Sequence, residues 1–165
     1  MYRTTFAAIG ISALALTALA APAPAEAQYR QKITNDAGKC AAGGGPAVRV
    51  TITDIKASSG TIRVQSYRGT EADWLEKGRW IYRMEAPAKA GKMTFCMPVP
   101  APGTYGIAVR HDVNGNGKTD IFADGGAMSN DPSINIFNLG KPSYKKTAFQ
   151  VGPGVESISI RMRYR

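Results

Sequence analysis

Residues 111–120 read HDVNGNGKTD, and no other stretch of the chain sets so many oxygen-bearing side chains so close together. Asp112, Asn114, Asn116 and Asp120 fall at every second place, with Gly115 and Gly117 between them. Calcium is a hard cation that takes about 6–8 oxygen ligands, commonly from alternating positions of a loop bent at a glycine. Counted from Asp112 as the first position, Asn114, Asn116 and Asp120 fall at ligand positions, and the backbone carbonyl of Lys118 falls at another. The position where such loops carry a bidentate acid is Ala123; Asp124 follows it, and it or Asp131 completes the shell if the chain folds back. A site so short of carboxylates would be weak, with a dissociation constant of about 10⁻⁴–10⁻³ M. The competing reading needs no ion. Asn-Gly repeats supply the positive φ of tight turns, Asx side chains bond their own backbone, and Lys118 inside the loop opposes a cation. Both readings stand at this level.

His111 is the only histidine in the chain. A small hydrolase built on it would pair it with Asp112 or Asp120 and would need a nucleophile nearby. Ser129, Ser133 and Ser143 follow it, but none sits in a nucleophile-elbow context. The expectation is therefore no enzyme, with His111 supporting the loop from the end of a strand. The two cysteines, Cys40 and Cys96, fit neither a metal site nor a CxxC redox pair; in an exported chain they are expected to form one disulfide.

The elements that must position these residues are strands. In VRVTITDI (48–55), Val48, Val50 and Ile52 alternate with Arg49, Thr51 and Thr53, the period of a half-buried strand. TIRVQSY (61–67) is a second strand, expected to form a hairpin with the first. GTEADWLEKG reads as one short helical turn, with Thr70 and Asp73 at its start and Gly78 at its stop. Its Trp74 and Leu75 either plug one end of the core or form a binding patch; the plug is the default, because large apolar side chains bury. Strands follow at 79–86, 92–99 and 104–112. A long loop spans 112–147, and AFQV and VESISIRMRY are expected to close the chain as a hairpin with Ile158, Ile160, Met162 and Tyr164 inward. The pattern defines an all-β chain, an antiparallel β-sandwich of about seven strands. If their strands are neighbours, Arg49, Arg63, Arg161 and Arg163 form one basic sheet face.

The first residues carry Arg3, an apolar run over about 6–20 and an Ala25-Glu26-Ala27 exit, the pattern of a cleaved signal peptide over 1–27. The expected organisation is that leader, a flexible arm at 28–46 and a sandwich domain at 47–165. The run is shorter than the roughly 20 residues of a spanning helix, and no transmembrane segment is expected after cleavage. Localisation is then periplasmic or secreted. The formal net charge of +9 draws the protein towards anionic envelope surfaces or glycans. Aromatic residues do not interleave with basic ones as a nucleic-acid groove requires, so no specific nucleic-acid partner is expected.

VTITDIKASSGTIRVQSY, PGTYGIAVRHDVNGNGKTD and GKPSYKKTAF, in that order, resemble a family of exported bacterial proteins known only as a domain of unknown function. The resemblance covers about 47–163, with PGTYGIAVRHDVNGNGKTD its most specific element; Lys145 and Lys146 stand where an acidic residue is expected. It implies an immunoglobulin-like or carboxypeptidase-regulatory-like sandwich and no particular activity. Together these observations give the expectation of an exported, non-catalytic envelope module with a binding or structural role. A hydrolase using His111 and a basic adhesin-like, glycan-associated protein are the alternatives, with Lys141, Lys145 and Lys146 as contact candidates.

Overall fold

The computed structural model describes residues 28–165 apart from 121 and 139; the leader expected at 1–27 lies outside the described residues. Ten strands carry the described chain: β1 (Gln31–Lys32), β2 (Ala47–Ile55), β3 (Thr61–Arg68), β4 (Tyr82–Pro87), β5 (Gly91–Pro98), β6 (Gly103–Asp112), β7 (Gly125–Met128), β8 (Phe149–Val151), β9 (Val155–Arg161) and β10 (Arg163–Tyr164). One helical turn, α1 (Tyr144–Thr147), precedes β8. The larger sheet has the order β1-β4-β3-β6-β7-β10, and β8 pairs with the start of β6. The smaller sheet is β5-β2-β9. An all-β sandwich is what the alternation demanded.

The core lies between the sheets. Val48, Val50 and Ile52 from β2 are fully buried with Phe95 and Met97 from β5 and Ile160 from β9. Across from them stand Ile62, Val64, Met84, Ile107 and Val109 of the larger sheet. Each such side chain contributes roughly 1.5–3 kcal/mol when fully buried, and a period of two puts them all on one side of their strands.

The connections differ from the sequence expectations. β2 and β3 are not a hairpin: the turn between them carries the chain from the smaller sheet to the larger, which lets both strands bury one face in the shared core. β8 and β9 are likewise split between sheets, so no closing hairpin forms. The pairing is also not wholly antiparallel, since β2 runs parallel to β9 and β1 parallel to β4. The third strand begins at Tyr82, later than 79, and the expected loop over 112–147 contains β7, a 3₁₀ turn at Ile136–Asn138 and α1. The four arginines do not share a face: Arg49 and Arg161 belong to the smaller sheet, Arg63 and Arg163 to the larger.

The 28–46 segment runs along both sheets. β1 extends the larger sheet, and Asn35 bonds the backbone of Thr94 and Cys96 on the edge strand β5. A 3₁₀ turn at Ala37–Cys40 then carries Cys40 to a disulfide with Cys96. Closing a loop of 56 residues stabilises the fold by about 4 kcal/mol in the chain-entropy account.

A second apolar cluster sits on the opposite, outer face of the larger sheet: Tyr67, Trp74, Trp80 and Met128, with Leu75, Ala108, Ile134 and Tyr144 against them. Trp74 comes from the 70–78 segment, which makes a single helical turn, Thr70 C=O accepting from Trp74 N–H, and does not continue as a helix. Trp74 is buried as a plug, but on the outside of the sheet rather than at an end of the core. Its ring lies over Gly106 so closely that a Cβ there would sit 2.6 Å from a ring carbon. Its indole N–H donates to Pro142 C=O at 2.9 Å, and it meets Tyr67 edge-on with ring centroids 5.4 Å apart. Gly106→Ala should therefore destabilise the protein by about 1–3 kcal/mol in urea unfolding and shift the indole emission to longer wavelength as Trp74 is displaced. Unchanged stability and emission would contradict this packing.

Candidate functional site

The 112–124 loop is organised by its own backbone. Asn114 Oδ1 accepts from Asn116 N–H and Asn116 Oδ1 from Lys118 N–H, at 3.1 and 2.7 Å. Gly115 and Gly117 take φ of +71° and +74°, the left-handed geometry that the Asn-Gly repeat supplies. Asp112 Oδ2 accepts from Gly117 N–H and pairs with Arg110, Asp120 Oδ1 accepts from Phe122 N–H, and Asp124 receives Val113 and Asp120 N–H on its two oxygens. Asp112, Asn114, Asn116, Lys118, Asp120 and Asp124 are thus brought into one loop, but the acids are not gathered around a point. Among the described residues, no group of three or more His, Cys, Asp or Glu side chains is placed to hold a metal ion. One oxygen is left over: Asp112 Oδ1, buried and without a partner.

His111 is fully buried. Its Nε2 lies 2.8 Å from Ser59 C=O, which only accepts, so the ring proton sits on Nε2. Nδ1 then accepts from the Tyr164 hydroxyl at 2.7 Å, and the same oxygen accepts from Lys56 N–H. Burial raises the Tyr164 phenol above its usual range and keeps it a donor. Both nitrogens are spent tying the turn after β2 to the last strand. His111 and Asp112 point to opposite faces of β6, one into the core and one outward, which is why adjacent residues on a strand do not make a dyad. Ser129 is also buried, its hydroxyl donating to Thr147 C=O.

A concave feature lies elsewhere among the described residues, on the outer face of the larger sheet. Strand register aligns outward side chains there in two rows. One runs Glu85, Arg63, Arg110, Gly126, Arg163; the next runs Lys32, Arg83, Gln65, Ala108, Met128. The 70–78 segment and the chain around 119–140 rise on either side, leaving a cleft of about 450 Å³ lined by Tyr67, Leu75, Ala108, Gly126, Ile134, Arg110 and Arg163. Clefts of roughly 300–1,000 Å³ are the usual size for small-molecule sites. A wider depression of about 1010 Å³ continues it past Gln65, Tyr67 and Leu75 to Lys32, Trp80 and Arg83.

The guanidinium groups of this trough are incompletely used. Arg110 reaches Asp112, Thr119 Oγ1 and Gly117 C=O, yet its Nε is buried and unpartnered. Arg83 Nε is in the same state, and its guanidinium lies 4.2 Å from the Trp80 ring centroid. Burial, with Arg63 adding to it, lowers the Arg83 pKa, and burial pushes the Tyr67 phenol up to about 12. Arg163 donates to Asp131 and Pro132 carbonyls at 2.9 Å, and no carboxylate among the described residues forms an ion pair with it. Of the lysines singled out in the sequence, Lys141 pairs with Glu76 across the wall of the trough, and Lys145 stands 6.0 Å from the Tyr144 ring centroid. Sequence reasoning missed the trough. Arg110 and Ala108 take the outward positions of β6, and Gly126 lies in β7 within the 112–147 span expected as loop.

Fold and site together define a two-sheet β-sandwich with a basic, aromatic-walled trough on the exposed side of its larger sheet. The chain belongs to the family of uncharacterized proteins conserved in bacteria, DUF2141, which it matches over residues 50–159. No curated protein and no solved structure matches it.

The His111–Tyr164 pair carries a direct expectation. Tyr164→Phe leaves Nδ1 unsatisfied in a dry site and should lower unfolding free energy by about 1–3 kcal/mol. His111→Ala, which also opens a cavity, should lower it by more. A double-mutant cycle in urea should show a coupling of about 0.5–3 kcal/mol; independent effects would mean that the two residues do not act together.

Proposed function

We propose that this protein is an exported, non-catalytic module of the bacterial envelope that binds a small ligand in the trough of its larger sheet. The observation that carries the reading is the open concave face itself, where Arg83, Arg110 and Arg163 stand beside apolar Leu75, Ala108 and Ile134. Arg163 there has only carbonyl partners, so an anionic ligand group meets a guanidinium charge that no ion pair among the described residues compensates. The Cys40–Cys96 disulfide supports an oxidising compartment, periplasmic or extracellular. The hydrolase alternative loses its base, since neither nitrogen of His111 is free. The adhesin-like alternative needs a broad basic face, whereas the arginines expected to form it are divided between the sheets.

Gly126 gives a clean test. It forms the floor of the trough between Arg110 and Arg163, and a Cβ added there meets nothing within 4 Å. Gly126→Leu should fill the trough and leave the fold intact. Native mass spectrometry of protein purified from a bacterial periplasm should show a noncovalent adduct on the wild type that Gly126→Leu lacks. Equal adducts on both, or none on the wild type, would contradict the reading.

A second reading, calcium held by the 112–120 loop, is favoured by one atom, the unpartnered Asp112 Oδ1. At about 10 mM calcium, a site with the weak affinity of extracellular modules would stabilise the protein by roughly 1.4–2.7 kcal/mol. Thermal melts with calcium and with chelator decide it. A rise in Tm that Asp112→Ala abolishes supports calcium, and superimposable melts leave an ion-free Asx loop.

A further inference from the structure

We infer that the ligand of the trough is an amphiphile: an apolar chain of medium length ending in a single oxyanion. This rests on the trough being the binding site and goes further by naming the ligand's chemistry. Over β6, β7 and β10, polarity along the trough is sorted by strand position, and Gln65 and Arg83 lie beyond on β3 and β4. At one level Arg110 and Arg163 stand on either side of Gly126, with open space above it. Two residues along each strand, the floor becomes Ala108 and Met128, walled by Tyr67, Leu75 and Ile134. Two residues further on β6, Gly106 lies under the Trp74 ring, which closes that end. Four residues of strand separate Arg110 from Gly106, about 14 Å at the rise of an antiparallel strand, the span of a medium-length alkyl chain.

At the head-group end Arg110, Arg163 and Arg165 outnumber the carboxylates of Asp120 and Asp124, and both Asp124 oxygens are taken by the Val113 and Asp120 N–H groups. Arg163 has only carbonyl partners, so its charge is uncompensated by any ion pair among the described residues. Arg110 stands on β6 in the same row, with Gly126 of β7 between the two arginines. A guanidinium offers paired N–H donors to a carboxylate or phosphate, and it does so most effectively where water is excluded. The apolar end is walled by Leu75, Ile134 and the ring of Tyr67, which give an alkyl chain a surface; Gln65 and the Tyr67 hydroxyl are the polar groups beside it. The chain segments that supply the Thr119–Asp120 and Ile134 walls also carry the two exposed large apolar side chains, Phe122 and Phe137, which are 77% and 92% exposed. A carboxylate or phosphate on an alkyl chain reaches an envelope protein as a free acid or as part of a bilayer, and the chemistry recognised is the same.

The test is calorimetric titration of the oxidised full chain, processed as its host delivers it, with decanoate, 1-decanol, inorganic phosphate and phosphatidylglycerol vesicles. Decanoate should bind at least tenfold more tightly than 1-decanol, and inorganic phosphate should bind far more weakly than either. Arg163→Gln should erase the preference for decanoate over decanol, and Arg163→Lys should retain part of it. Gly126→Leu should abolish binding of both chains, with Gly126→Val as the smaller obstruction if the leucine prevents folding. Equal affinity for decanoate and decanol would overturn the oxyanion assignment while leaving the trough as the site. Inorganic phosphate binding as tightly as decanoate would overturn the apolar half. Binding to vesicles but not to decanoate would overturn the soluble-ligand assignment in favour of a membrane surface. Decanoate binding that Gly126→Leu leaves unchanged, or no binding by any probe, would overturn this inference; the first of these would also remove the trough as the site.

Discussion

The contact of the Trp74 ring with Gly106 governs the outer half of this molecule. A sheet with one face in the core needs nothing on its other face, and most such faces are flat and solvated. Here a single indole is pressed against backbone where β6 carries no side chain, and its N–H reaches across to Pro142. The 70–78 segment and the chain before α1 are thereby held together above one end of the sheet. The remainder of the face is left open between raised walls. The Glu76–Lys141 ion pair joins the same two segments but is half exposed on both sides, and a pair of that kind adds at most about 1 kcal/mol. The aromatic contact sets the shape of the trough.

Electrostatics then give the trough its character. The arginine row exists because β3, β6 and β10 each place an arginine outward at the same level, and only Arg63 and Arg110 receive carboxylate partners, Glu85 and Asp112. The loop after β6 has a part in this. By fixing Asp112 against Gly117 N–H and offering Gly117 C=O and Thr119 Oγ1 to Arg110, it locks that guanidinium in place. HDVNGNGKTD is therefore a positioning device for the trough wall as well as a turn. On the other side of β6, His111 does the equivalent work in the core, binding the 58–60 turn to β10 and so fixing the strand that carries Arg163.

Much of this was legible in the chain. Alternation in 48–55 and 61–67 identified buried strands and the right inward residues, and the expectation of export pointed to the Cys40–Cys96 bridge that the structure forms. The pairing was not legible, because period two says which face of a strand is buried but not which strand lies beside it. A short turn such as KASSG joins strands within a sheet or across two sheets equally well, and β2 and β3 take the second course. The trough escaped for a related reason. Its residues are scattered over β3, β4, β6, β7 and β10 and meet only through register, while its floor is Ala108 and Gly126, residues that signal nothing in a sequence except the absence of bulk. Asx turns and calcium loops share their residues, so HDVNGNGKTD carries both readings in the sequence. What separates them is whether the side-chain oxygens converge on one point, which is a property of three dimensions.

We propose that the outer face of the larger sheet, and not the 112–120 loop by itself, is where this protein meets a ligand. The most direct measurement is an amide and indole chemical-shift map of the ¹⁵N-labelled protein titrated with decanoate. The account predicts perturbations concentrated at Gln65, Ala108, Arg110, Gly126, Met128 and the two tryptophan indoles, with β2, β5 and β9 unmoved. Shifts confined to 114–118, or spread over the smaller sheet, would contradict it.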